Sequence, residues 1–225
     1  MKKNSSLLMH LLFAVIVIVE LLGRLLGNIQ MEYFVKPLIM IWIAVFFLLS
    51  ARKSTFTIPV LLAFFFSWVG DNFLMLSGKD ELFFYAGVGG FFCAQLSYIY
   101  TFTRYSETGG KGYVQKNPWI SVIFLAYLAG ILVLLLPGLE GMKKPIIIIY
   151  AFSLVGMSIM ALNRSGRVGV QSFRLVFFGS LLFVISDSMI AINKFFSAIP
   201  LAGFLIMITY ISAQYVIMRG LILEE

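Results

Sequence analysis

One cysteine and one histidine are all that 225 residues hold of the two commonest soft metal ligands. The lone Cys93 excludes a disulfide or a cysteine metal site within one chain. The lone His10 excludes a Ser-His-Asp triad and a multi-histidine metal centre. No metal and no other cofactor is therefore expected. Charge is scarce as well: 12% of residues are charged and 61% are hydrophobic, where a soluble domain has about 25% and 45–50%. Soluble folding is excluded on that balance. The apolar residues run in blocks and not in period-2 alternation, which excludes a barrel. The formal charge of +7 invites a nucleic-acid partner, but the basic residues separate apolar blocks and form no patch with interleaved aromatics. No nucleic-acid binding is expected. "GMSIM" (156–160) lacks the closing glycine of a nucleophile elbow.

What is present is a series of long apolar runs. About 20 such residues cross a bilayer as a helix, and eight runs qualify, near 7–26, 33–50, 57–76, 82–102, 118–136, 145–162, 173–194 and 199–219. The expected fold is an all-α polytopic membrane protein with eight transmembrane helices in one transmembrane domain over 1–225. The opening "MKKNSSLLMHLLFAVIVIVELLG" resembles a signal peptide. It has no small-x-small cleavage site, and Glu20 and Arg24 follow, so it reads as an uncleaved first span. The second run is the least clean. Loops are short, the longest being "RYSETGGKGYVQKN" (104–117).

Basic residues orient the spans. Eleven fall with the N-terminus, the even-numbered loops and the C-terminus: Lys2, Lys3, Arg52, Lys53, Arg104, Lys111, Lys116, Arg164, Arg167, Arg174 and Arg219. Six fall on the other side: Arg24, Lys36, Lys79, Lys143, Lys144 and Lys194. The positive-inside rule places both termini in the cytoplasm. In a bacterium the protein would sit in the inner, plasma membrane. The sequons at Asn4 and Asn163 then face the cytoplasm and carry no weight.

Three signals recur four spans apart. "KPLIMI" (36–41) is echoed by "KPIIII" (144–149), "GD" (70–71) by "SD" (186–187), and "AQLSY" (94–98) by "AQYVI" (213–217). This order suggests two four-helix repeats, roughly 1–112 and 113–225, related by an axis along the membrane normal.

Two carboxylates stand inside the apolar runs. Asp71 lies 14 residues past Thr57, and Asp187 lies 14 past Phe173, so each is about 21 Å along its span. An aspartate facing lipid at the bilayer centre costs about 2.5–3.5 kcal/mol on an insertion scale. Both are expected to turn inward, towards each other or a wet cavity. Sharing one proton, they would supply a general acid and a general base. The plainer reading is polar glue between helices.

Gln95, Tyr98 and Phe102 share one face of the fourth span, and Tyr210 and Gln214 share one of the eighth. Either set can line a headgroup site or tie helices together. Ser67, Gly70 and Ser186 are small residues beside the aspartates and suit close packing. Asn72 and Ser186, adjacent to the acids, are candidate substrate contacts, as are Tyr98, Tyr210, Gln95 and Gln214. Lys36 and Lys194 are candidates for the headgroup. Lys79 and Lys194 lie near the outer surface, where they can meet a lipid phosphate or snorkel. Pro37 and Pro145 fit the first turns of their helices. Gly23 and Gly27 form a G-x-x-x-G packing pattern.

Taken in order, "KPL" (36–38), "GDNFL" (70–74), "GFFCAQLSYIYTF" (90–102), "SDSMIAINKFF" (186–196) and "YISAQYVI" (210–217) resemble the YhhN family of membrane proteins, which includes the lysoplasmalogenases. The "SD…IA.NKF" element is similar to the animal lysoplasmalogenases. The family's fourth-span pattern reads G-x-x-x-F-x-x-x-H-x-x-Y. Here Gly87, Phe91 and Tyr98 fit it, and Gln95 stands at the histidine. The resemblance implies an enzyme that hydrolyses the vinyl ether of a lysophospholipid to a fatty aldehyde and a glycerophospho-base. Its partners would be that lysophospholipid and the surrounding membrane lipids. Protonating the vinyl carbon gives an oxocarbenium-like cation, which a second carboxylate can steady, as in glycosidases. Asp71 and Asp187 would be the catalytic pair. The competing readings are a proton-coupled transporter of a small molecule or lipid using the same aspartates, and a purely structural protein.

Overall fold

The computed structural model describes residues 3–51, 54–106 and 108–223. Lys2, Arg52 and Lys53, which enter the charge count, lie outside the described residues, as do the side chains of Lys3 and Asn4. All regular structure among the described residues is helical. The helices are α1 (Lys3–Leu26), α2 (Ile29–Ser50), α3 (Thr57–Met75), α4 (Glu81–Arg104), the short α5 (Tyr113–Lys116), α6 (Ser121–Leu135), α7 (Lys143–Asn163), α8 (Val170–Phe195) and α9 (Ala202–Ile222). Every one but α5 is long and apolar enough to cross a bilayer, α6 together with its flanking 3-10 turns. These eight match the eight expected spans. Leu8, Val15, Ile18, Phe34, Val133 and Phe178 are exposed. In water such a surface would aggregate; in lipid it is the ordinary outer face.

The chain divides into two compact units, residues 1–97 and 98–224, with the division inside α4. In the first unit, α1 packs on α2 and α2 on α3. Trp42 of α2 stacks on Phe13, and its indole N–H donates to the Met9 carbonyl at 3.0 Å. Ile39, Ile43 and Phe47 of α2 are fully buried, and Phe47 meets the buried Phe64 of α3 edge to face. The α3–α4 approach is made by glycines. A Cβ at Gly70 would lie 2.6 Å from the Phe91 ring, and one at Gly90 would lie 2.7 Å from the Gly70 nitrogen.

The α1–α2 turn corrects three expectations. Gly27 has φ +64°, and the Asn28 N–H donates to the Gly23 carbonyl at 2.9 Å, the Schellman ending of a helix. Gly27 therefore makes the turn, while Gly23 alone packs, with a Cβ there 3.2 Å from Met31 Cβ. The Asn28 side chain accepts from the Met31 N–H at 3.2 Å and so starts α2 at Ile29, ahead of the expected 33. Pro37 is thus the ninth residue of α2 and not in its first turn. Its ring removes the backbone donor that would serve the Tyr33 carbonyl. Pro145, third in α7, is in its first turn as expected.

In the second unit, α8 and α9 pack against each other most extensively, α7 packs on α8, and α6 packs on both α7 and α8. Glycines again permit the approach. A Cβ at Gly179 would lie 3.0 Å from the Ala213 carbonyl oxygen, and one at Gly220 would lie 3.0 Å from that of Ser172. Leu128, Ala151 and Val155 form the α6–α7 contact. Helix α5 is held on the end of α7, where its Gln115 N–H donates to Asn163 Oδ1 at 3.1 Å. The guanidinium of Arg164 is buried over the Phe102 ring and donates to Ser172 Oγ at 3.0 Å. Helix α8 starts three residues before Phe173. Asp187 is therefore seventeen residues into its helix, about 26 Å at 1.5 Å each, and the equal counts of fourteen are not kept.

Candidate functional site

Helix α3 has a small-residue face of Ser67, Gly70 and Asp71, all buried. Gly70 lets α4 close over this face, so Asp71 is turned into protein and away from lipid. Lys36 of α2 is buried too, and its Nζ lies 3.1 Å from Asp71 Oδ1. A lysine expected at the headgroup thus directly pairs the aspartate expected in the chemistry. Two charges buried together satisfy each other far better than either would alone.

Helix α1 continues this charge chain. Glu20 is fully buried. Its Oε1 accepts from Arg24 Nε at 3.1 Å, and Arg24 Nη1 lies 2.7 Å from Glu32 Oε2. The charge of Lys36 also acts on Glu20. Five ionisable groups on three helices, Glu32, Arg24, Glu20, Lys36 and Asp71, therefore form one electrostatic group. Glu20 Oε2 is buried and has no hydrogen-bond partner. Among the described residues, no three of histidine, cysteine, aspartate and glutamate come together as metal ligands.

The neighbours of Asp71 serve their own elements. Asn72 donates from Nδ2 to the Trp68 carbonyl at 2.7 Å, one turn back on α3. Lys79 sits over the Tyr33 ring, 5.7 Å from its centroid, and Tyr33 donates to the Met75 carbonyl at 3.4 Å. On α4, Gln95, Tyr98 and Phe102 are all fully buried, as their shared face predicts.

In the second unit, Asp187 is buried on α8 and accepts from the Tyr150 hydroxyl of α7 through Oδ2. The next residue, Ser188, donates from Oγ to the Val184 carbonyl at 2.5 Å. With its one proton so used, Ser188 Oγ accepts from the Tyr127 hydroxyl of α6. Tyr127 is also within electrostatic reach of Asp187. Three helices thus place a carboxylate, two phenols and a hydroxyl at one level of the unit.

Tyr98, Gln214 and Tyr210 make a second buried network. The Tyr98 hydroxyl donates to Gln214 Oε1 at 2.6 Å, and Gln214 Nε2 donates to the Tyr210 oxygen at 3.4 Å. Ser186 donates to the Ile206 carbonyl at 3.1 Å and ties α8 to α9. These hydrogen bonds fix helices, and through α8 they fix the backbone that carries Asp187. Lys194 is exposed in the last turn of α8, where its charge suits the helix C-terminus.

Glu20, Tyr127, Tyr150 and Ser188 are absent from the sequence-derived site. Glu20 was legible by the criterion that marked the aspartates, an ionisable residue inside a span. The phenols were not, because tyrosine is common at membrane interfaces and only tertiary packing shows what its hydroxyl meets. A sequence model of the YhhN family matches residues 31–221, most of the chain. No solved structure matches it.

Proposed function

The chain belongs to the YhhN family, and from that premise we propose that it is an intramembrane hydrolase of vinyl-ether lysophospholipids. The observation that carries the reading is that Asp71 and Asp187 are both buried in apolar helices, each held by a named side chain of a neighbouring helix. A carboxylate so enclosed is expensive, and its usual justification is chemistry.

Asp71, in its ion pair with Lys36, is the carboxylate of the reaction. Asp187, hydrogen-bonded by the Tyr150 hydroxyl, is the acid. Asp187 protonates the distal vinyl carbon and leaves an oxocarbenium-like cation on the carbon bearing oxygen. Asp71 steadies that cation and takes a proton from the water that adds to it. The resulting hemiacetal returns its hydroxyl proton to Asp187 as the carbon–oxygen bond breaks. The departing glycerol oxygen takes the proton held by Asp71. Aldehyde and glycerophospho-base leave, and both acids regain their starting states. Gln95, at the family's histidine position, and the Tyr98–Gln214–Tyr210 network are then positioning groups, with Asn72 and Ser186 fixing the two acids' helices. Lys194 is the headgroup contact, and Lys36 acts through Asp71.

The test is to incubate detergent-purified protein with a vinyl-ether lysolipid and with an ester lysolipid. Aldehyde is expected from the first alone. Asp71→Asn and Asp187→Asn are each expected to lower the rate by at least about a hundredfold. If both act in the same chemical step, the double variant loses little more than either single one. The charge chain from Glu32 to Asp71 favours a second reading, a proton-coupled transporter. Proton-dependent uptake into vesicles without any aldehyde would decide for it.

A further inference from the structure

A groove of about 570 Å³ runs between α6, α7 and α8. Its lining is apolar and includes Phe124, Tyr127, Val155, Phe177, Leu181 and Val184. Phe177, Leu181 and Val184 recur at helical spacing on one face of α8. Asp187 continues that face one turn beyond Val184. At the same end, the Tyr127 hydroxyl meets Ser188, the residue after Asp187. The groove is therefore apolar along its length, and its last lining residues on α8, Val184 and Ile185, stand within one turn of the acid. Ile123 and Ile185, which also line it, are 63% and 49% exposed, so it opens sideways to the bilayer. From Phe177 to Ile185 it follows α8 for about 12 Å.

We infer that this groove seats the hydrocarbon chain of the lipid substrate. The chain lies along α8 from Asp187 towards Phe177, and the polar end of the lipid points towards Lys194. This rests on the hydrolase reading and adds to it the placement and direction of the substrate. In a vinyl-ether lysolipid the reactive bond joins chain to glycerol, so a chain in the groove puts that bond beside Asp187. Seven residues separate Asp187 from Lys194, about 10 Å along the helix, which is room for the glycerol and its phosphate. With the orientation expected from the basic residues, such a lipid comes from the leaflet opposite the cytoplasm. Lipid tails are as apolar as the groove, so its contribution is to orientation more than to affinity.

Two measurements test this. The first uses a saturated alkyl-ether lysolipid, which cannot be cleaved, carrying a diazirine at the chain end. Irradiated with the full protein in lipid nanodiscs, it is expected to label around Ile120, Phe124 and Phe177, and excess unmodified analogue is expected to suppress that label. Label spread evenly over the lipid-facing helices overturns the inference. So does displaceable label in the smaller α2–α3 groove, of about 380 Å³ and lined by Met40, Ala44 and Leu61. The second is Leu181→Trp, which fills the groove. It is expected to lower kcat/KM about tenfold for a long-chain substrate and by much less for a short-chain one. An equal effect on both chain lengths, or none, overturns the inference. If the analogue labels the groove and no aldehyde forms from the vinyl ether, the hydrolase reading fails and the groove stands. If aldehyde forms and the groove stays unlabelled, the groove fails and the hydrolase stands.

Discussion

Lys36 has 9% of its side chain exposed and Asp71 has 4%, so the pair is nearly closed to any solvent. Removing one partner strands the other charge, at a cost of about 3–5 kcal/mol. Lys36→Met is expected to lower thermal stability in detergent sharply. Adding Asp71→Asn should recover part of the loss, because the stranded charge goes with it. A double variant as unstable as the sum of the singles would show that the two side chains are not energetically paired. Tyr150 is the matching case on α7. Tyr150→Phe removes the phenol that donates to Asp187, a change worth about 1–3 kcal/mol if it leaves the acceptor unsatisfied. A drop in kcat with unchanged far-UV circular dichroism is expected. Loss of fold would place Tyr150 in packing alone.

At the level of helices, adjacent glycines of α4 separate two roles. A Cβ added at Gly89 would have nothing within 4 Å, whereas at Gly90 that atom would meet the Gly70 backbone at 2.7 Å. Gly89→Ala is expected to stabilise by up to about 1 kcal/mol through helix propensity. Gly90→Ala is expected to destabilise by about 1–3 kcal/mol, since α3 cannot yield without shifting. Equal melting temperatures for the two variants would mean that the helices do not approach so closely. The spans themselves were legible because every one is a long apolar run, and hydropathy is what a bilayer selects. Their ends were less so. The start of α2 was displaced because Glu32 reads as an end to the apolar run. It is helical because Asn28 caps the turn and Arg24 pairs with Glu32. Helix α5 left no mark in a polar loop, being held by Asn163 of α7. Of the candidate site, the aspartates were legible as misplaced charges. Their partners were not, because Lys36 read as a headgroup contact and Tyr150 as an ordinary membrane aromatic.

For the molecule as a whole, the orientation in the membrane is open to direct measurement. The charge bias predicts that the loop holding Thr108 lies in the cytoplasm and the loop holding Glu140 on the far side, and both residues are exposed. Replacing Cys93 by serine leaves no native thiol. In that background, Glu140→Cys is expected to react with an impermeant maleimide on intact cells, and Thr108→Cys only after the cells are opened. The opposite pattern would invert the leaflet from which a lipid is drawn.

The match to the family starts at residue 31, yet α1, which precedes it, supplies Glu20 and Arg24 to the charges around Lys36. A chain begun at that boundary would cross the bilayer seven times. With odd parity its two ends would fall on opposite faces, and either α2 would enter from the wrong side or every later helix would run upside down. By that parity the first helix would orient the others as well as supply two charges, and swaps among relatives at this boundary should carry it along.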